Sequence, residues 1–397
     1  MAGMMGDHAS TEKGTAKAIQ VIKHDASIEV LGEAAIGAKS LSELVLYLGA
    51  WNAKKVAEAG GIDAWEALSA LEQAERDAKL MKEVVVALGK EAYDALAPDD
   101  RRKLDLFIWA GCCMHKDLNS FKGGNTEMML GWEQIAATPP IILANKGNAA
   151  ILKELLEPGS EKYDNLTELQ QKAFESSTRG AIKACALDID FMSVHLGKRH
   201  KRFPGTHNSR FSSSALAAAE LITHLPLNVE NNLRLALRDL PTLAELVVVI
   251  LYYQAIGHPY MRCVRGPGTE NTNALDLGPL HTEVCDHIRT LINDPSLLTA
   301  ADTSFVTGSL DGQPWEDPAA VKAALELLPT LPHVEEMLLA FLRGALATWV
   351  RFSAEFAPGG LIDEATASER QLAWMPSTND ANEGALGSYR VRMRDKP

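Results

Sequence analysis

Cysteine, aromatic residues and strand-like alternation are all scarce in this sequence. It has five cysteines, an odd number, spread over 397 residues. A disulfide scaffold is therefore not expected, and a reducing, intracellular setting fits better. Aromatic residues make up 6% of the chain. No run of alternating apolar and polar residues is long enough to announce a large sheet. No fixed-period repeat is present, which argues against a solenoid. A basic region followed by an apolar one is missing at the N-terminus, so no signal peptide is expected. The longest apolar run, Leu243 to Ile256, is broken by Glu245 and Gln254. It reads as a buried helix, too short for a membrane span. A net charge of −13 speaks against a surface that coats DNA generally, but allows a local basic groove.

What is present is helical periodicity and ample apolar content, 46%. Leu41, Leu44, Val45 and Leu48 recur at helical spacing. Ser40 or Ser42 is placed to cap that helix, and Gly60–Gly61 to end it. The stretch 63–89 predicts another helix, with Gly89 as its stop. Pro98 and Asp99 open a further one. Helical patterns recur at 149–157, 166–196, 214–224, 229–239, 241–256, 278–293, 318–328, 333–356 and 381–392. Segment 139–145 is the best strand candidate. Glycine- and proline-rich loops are expected at 122–126, 203–213, 265–279 and 307–318. The fold class is mostly α, with a small sheet (α+β).

Four segments carry residues suited to chemistry. Asp7 stands in "MGDHAS", before a polar stretch that starts a helix. Cys112, His115 and Asn119 form a C-x-x-H-x-x-x-N pattern in "CCMHKDLN". Arg210 precedes Phe211 and a serine run, just after the basic residues Lys198, Arg199, Lys201 and Arg202. Glu383 follows the Ser/Thr/Asn-rich turn "STNDAN". Separated carboxylates that converge on divalent cations are what metal-dependent strand cleavage requires.

In this order the segments resemble the catalytic core of hAT-type cut-and-paste transposases. They also resemble transposase-like proteins of mushroom-forming fungi. "GDHAS" resembles the segment bearing the family's second catalytic aspartate. "CCMHKDLN" resembles its Cys-x-x-His segment, and "SRF" its Arg-Trp segment with Phe211 for tryptophan. "STNDANEG" resembles the turn before its catalytic glutamate. The resemblance spans nearly the whole chain. It implies a remnant ribonuclease-H-like core with a large all-helical insertion, divided as 1–145, 146–373 and 374–397. It implies Asp7 and Glu383 as catalytic ligands of Mg²⁺ or Mn²⁺, hard cations suited to oxygen ligands. It implies DNA as partner, through Lys198, Arg199, Lys201, Arg202 and Arg210; the expected location is intracellular, with the nucleus open to it, and no membrane is expected. Only six residues precede Asp7, so the family's first aspartate has no strand here. A core truncated at its N-terminus, catalytically incomplete and binding DNA weakly, is the expectation.

Each segment also has a plainer reading. Asp7 would serve as a helix N-cap. Glu383 would be a first-turn glutamate favoured by the helix dipole. Arg210 and the basic run would be a solvated turn. Cys112 and His115 would be buried and structural, with His115 bonded to a backbone carbonyl or to Asn119. Zinc would need His281 and Cys285 to complete four ligands, and is not expected. No base for a Cys113 nucleophile is implied. A non-catalytic helical DNA-binding or protein-interaction module is the alternative function.

Overall fold

The computed structural model describes residues 2–143, 167, 178–185, 212–223 and 231–380. It is mostly helical, as the periodicity predicts. The chain divides into two compact units. One is Met1–Ala110 with Glu364–Met375; the other is Gly111–Asp363 with Pro376–Pro397.

The first unit opens with strand β1, Gly3–Gly6, followed by the long helix α1, Ser10–Ala38. Helices α2 (Leu41–Ala59), α3 (Ile62–Glu66), α4 (Ala70–Asp94) and α5 (Pro98–Asp105) follow. Strand β2, Ile108–Gly111, then pairs with β1, the Ile108 amide donating to the Ala2 carbonyl at 2.9 Å. Ser40 and Glu43 form a capping box at the start of α2, so Ser40 rather than Ser42 is the cap. Gly60, at φ 99°, closes α2 in the left-handed conformation. Ser69 and Glu72 repeat the box at α4.

Gly89 does not end α4, which runs on to Asp94. It faces α1 instead. A Cβ placed on Gly89 would lie 2.0 Å from the Ile28 carbonyl oxygen, and one on Gly32 would lie 1.9 Å from that of Val85. Ile28 meets Gly89 while Gly32 meets Val85, so α1 and α4 run antiparallel with their backbones in near contact. Val84 and Leu88 are buried at this crossing. The last helix of this unit, Ala367–Leu372, is joined to α5 by a forked ion pair. Arg102 donates from Nε to Glu369 Oε1 at 2.5 Å and from Nη2 to Oε2 at 3.3 Å.

The second unit begins with α6, Cys113–Gln134. Segment 139–145 supplies a short strand, β3 (Ile142–Leu143), antiparallel to β4 (Thr178–Arg179). Helices α7 (Ser212–Thr223), α8 (Asn231–Ala236), α9 (Leu240–Tyr252) and α10 (His258–Arg265) come next. α9 and α10 are joined without a break by one π-helical turn, Tyr253–Gly257. The apolar run is thus part of a 26-residue helical rod, Leu240–Arg265, long enough to cross a membrane; 89% of its most apolar stretch is buried inside the protein. The sequence-based length was too short because the π turn and Pro259 carry the helix onward rather than stop it. α11 (Gly278–Asn293), α12 (Pro318–Leu327) and α13 (Val334–Phe352) follow, with single helical turns at Ser296–Thr299 and Phe305–Gly308 between the first two.

α6 and α13 form its spine. The 122–126 segment, expected as a loop, lies inside α6. Its glycines are contact points: a Cβ on Gly123 would sit 2.1 Å from Thr348 Oγ1, and one on Gly124 2.4 Å from the Phe341 ring. Gly344 on α13 is equally tight against the Gly123 carbonyl, at 2.4 Å. Gly131 meets Met337 further along, so this pair is antiparallel too. Trp132, Phe121, Tyr252, Phe341 and Trp349 fill the core around it.

The glycine crossing of α1 and α4 gives a paired expectation. Gly89→Ala should lower stability by roughly 2–3 kcal/mol, because the helices must part to admit the methyl group. Gly49→Ala, on an open face of α2 with nothing within 4 Å of the new Cβ, should raise it by up to about 1 kcal/mol through helix propensity. Urea denaturation of the two variants reads both signs; a Gly89→Ala protein as stable as its parent would refute the tight crossing.

Candidate functional site

The first turn of α6 gathers more buried polar groups than its sequence suggests. Cys112 and Cys113 are fully buried, and Lys116, Asp117 and Ser120 are buried with them. Helical spacing sends these side chains to different walls of the core.

Lys116 points toward the end of α13. Its ammonium donates to the Phe352 carbonyl at 2.8 Å and pairs with Glu355. Glu355 Oε1 also accepts the Gly111 amide at 3.2 Å. A lysine with no exposed surface is tolerable only because a carboxylate and a carbonyl replace its water. Ser120, one turn on, donates to the Ala345 carbonyl at 3.0 Å and lies 3.2 Å from the Tyr252 hydroxyl.

Cys113 faces α10 and α11. Its sulfur lies 3.9 Å from His281 Nε2, the same nitrogen that the Tyr260 hydroxyl reaches at 3.1 Å. His281 is sandwiched further by Phe356, ring centroids 4.7 Å apart. A base therefore does stand beside Cys113, which no spacing in the sequence indicates. Burial nonetheless pushes the thiol up to about 11, which disfavours the thiolate at neutral pH.

Cys112 faces the chain's return. Its thiol donates to Asn379 Oδ1 at 3.2 Å, and the Cys113 amide donates to the Ser377 carbonyl at 3.0 Å. Ser377 is held in turn by the Val264 carbonyl, and Arg265 pairs with Asp380 at 2.7 Å. The structure thus brings together the second and fourth of the sequence segments. The turn at Ser377–Asp380 sits on the N-terminus of the Cys-x-x-His helix.

Asn119 does not reach outward. Its amide donates to the His115 backbone carbonyl at 2.6 Å, within the same helix. His115 is partly buried. His281 and Cys285 do share the buried face of α11, but the cysteine that nears His281 is Cys113, not Cys112. Among the described residues no three His, Cys, Asp or Glu side chains stand together as a metal site.

Asp7 directly follows β1. Its Oδ1 accepts the Ala9 amide at 3.1 Å in a tight turn that leads into α1, whose N-cap is Ala9. Asp7 is therefore not the N-cap expected of it: no side chain caps α1, and the Asp7 carboxylate closes only the turn before the helix. Glu383 lies outside the described residues, as do Lys198, Arg199, Lys201, Arg202 and Arg210.

Asp117 stands apart. Its Oδ1 has no hydrogen-bond partner, and Gly257 of the π turn passes so close that a Cβ there would lie 3.3 Å from it. Burial pushes its carboxyl from 3.8 up to about 7. Glu245, on α9, is likewise pushed to about 7 by burial, although it accepts from Trp132 Nε1 at 2.9 Å and the Ala181 amide at 3.0 Å.

No family model, no curated protein and no solved structure matches this chain.

Two expectations follow. Glu355→Ala should cost about 3–5 kcal/mol by stranding the buried Lys116 charge, and adding Lys116→Met should recover most of it; a double variant no more stable than Glu355→Ala alone would disprove the pairing. Asp117 binds its proton more tightly folded than unfolded. Its contribution to stability is full below about pH 4 and is lost as pH climbs to about 7. Asp117→Asn should therefore match the parent's melting temperature near pH 4.5 and exceed it near pH 8. An offset that does not change with pH would mean that Asp117 does not titrate in that window.

Proposed function

We propose that this chain is a transposase-derived protein that binds DNA and does not break strands. The observation that carries the reading is the meeting of two motif segments 267 positions apart, Cys112 and Asn379. In the resemblance, these are the Cys-x-x-His segment and the turn that leads to the catalytic glutamate. On this reading β1 and β2 are what is left of a ribonuclease-H-like sheet. Asp7 follows one of its strands and the Cys-x-x-His helix follows the other. The Cys-x-x-His segment is then scaffold: its thiols are buried, and its lysine and serine tie α6 to α13. Asp7 accepts the Ala9 amide in the turn before α1, which engages one of its two carboxylate oxygens. Glu383 keeps the family's catalytic position by resemblance alone, with Mg²⁺ or Mn²⁺ as the cation it would hold. DNA contact is assigned to the basic run from Lys198 to Arg210.

A helical protein-interaction module is the second reading. It is favoured by α2, which has no buried residue and exposes Leu41, Val45 and Leu46.

A purified chain incubated with labelled DNA ends and Mg²⁺ or Mn²⁺ should leave them uncut and unjoined. Its DNA affinity should fall steeply between 50 and 200 mM salt, by orders of magnitude for about six phosphate contacts. Metal-dependent cleavage that disappears in Glu383→Gln would show an active enzyme and overturn the proposal. Absence of any DNA binding would leave the interaction module as the better reading.

A further inference from the structure

The first unit carries a basic groove that the sequence does not announce. α2 and α4 lie side by side and leave two adjoining hollows. One, of about 310 Å³, is lined by Lys54, Lys55, Arg76 and Lys79, with Glu58 and Glu83. The other, of about 500 Å³, shares Lys79 and Glu83 and adds Trp51, Lys82, Val86 and Lys90. Six cations against two carboxylates line this groove, on a chain whose net charge is −13.

Lys55 is committed to Asp77 and the Trp65 ring, but other cations of the groove are available. Lys54, Lys79 and Lys82 keep 53%, 72% and 73% of their side-chain surface exposed. They do have partners: Lys54 and Lys79 contact Glu83 at 3.4 and 3.9 Å, and Lys82 contacts Glu29 at 3.4 Å. Exposed pairs of this kind are worth little and exchange readily for another anion.

We infer that this groove binds a single strand of nucleic acid. The groove is a row, not a spot. From Arg76 to Lys90 along α4 the cations span about 21 Å at 1.5 Å per residue, long enough to meet several consecutive phosphates of one strand. A compact anion such as free phosphate would use only one end. The second hollow is also partly apolar, with Trp51 beside Val86 and Ala87. The flat face of an unpaired base fits such a wall, whereas the bases of a duplex are already stacked on one another. Lys54 Nζ lies 4.8 Å from the Trp51 ring centroid, which puts a phosphate contact next to a base contact. The inference rests on the nucleic-acid reading above but assigns other residues than the Lys198–Arg210 run.

The full chain should be titrated by fluorescence anisotropy against a labelled 15-nucleotide single strand, its duplex and a polyglutamate peptide. The parent should prefer the single strand. Lys79→Ala/Lys82→Ala/Lys90→Ala should weaken that binding about tenfold and lower the salt slope by about two, at about 0.7 per neutralised phosphate. Trp51→Ala should also weaken it about tenfold. Lys198→Ala/Arg199→Ala/Lys201→Ala/Arg202→Ala should retain the preference for the single strand. The three-lysine variant changes only side chains on the open groove, so the test stands even if Trp51→Ala unfolds. Unchanged affinity in the three-lysine variant, or a parent that prefers duplex or polyglutamate, would overturn the inference. Loss confined to the 198–202 variant would remove the groove and leave the DNA-binding reading standing. No binding to either nucleic acid would remove both.

Discussion

The second unit depends on α6 and α13 approaching more closely than side chains permit. At Gly123, Gly124 and Gly344 each helix meets the other's backbone or an aromatic ring directly, with no Cβ between. That contact fixes the two helices in antiparallel register. The register then decides what else can meet: Ser120 finds the Ala345 carbonyl, and Lys116 finds Phe352 and Glu355. A side chain at any of the three glycines would force the helices apart and strand the polar groups on either side. The first unit repeats the device with Gly32 and Gly89. Interiors are too densely packed to absorb such a change without a shift of the backbone.

Close packing also explains the buried charge. A helix drawn tightly into the core carries more than one face inward near its N-terminus, polar ones included. Lys116 is satisfied there and Asp117 is not. The two neighbours on one helix therefore have opposite outcomes. One is an ion pair that holds the end of α13, the other a carboxyl driven toward its neutral form. Glu245 is an intermediate case, accepting two hydrogen bonds yet still pushed up by burial.

Much of the architecture was legible in the sequence. Helical class, the Ser40 cap, the Gly60 stop, the Pro98 start and the strand near 142 all appear, because each depends on local chemistry. Two misreadings share one cause. Gly89 and the pair at 123–124 were expected to end or interrupt helices, and each instead sits mid-helix at a crossing. A glycine that stops a helix and one that admits a neighbouring helix look alike until the neighbour is known. The same holds for the site. Cys112 and Asn379, or Cys113 and His281, are joined only by tertiary packing. The α2–α4 groove is likewise invisible in either helix alone, since Lys54–Lys55 and the spaced cations of α4 become one surface only when paired.

The arrangement around α6 limits where chemistry can occur in this protein. A reactive cysteine needs a thiolate, and a thiolate needs water, a cation or a helix N-terminus to hold its charge. Cys113 is at the start of α6, yet burial outweighs that advantage and leaves the thiol neutral. Cys112 gives its proton to a hydrogen bond with Asn379 and is sealed from solvent. The polar residues of this motif are therefore committed to joining α6, α13 and the returning chain. Exposed and loosely paired charges lie elsewhere. In the first unit the α2–α4 groove has such charges: Lys54, Lys79 and Lys82 are exposed and pair with Glu83 or Glu29 at 3.4 to 3.9 Å.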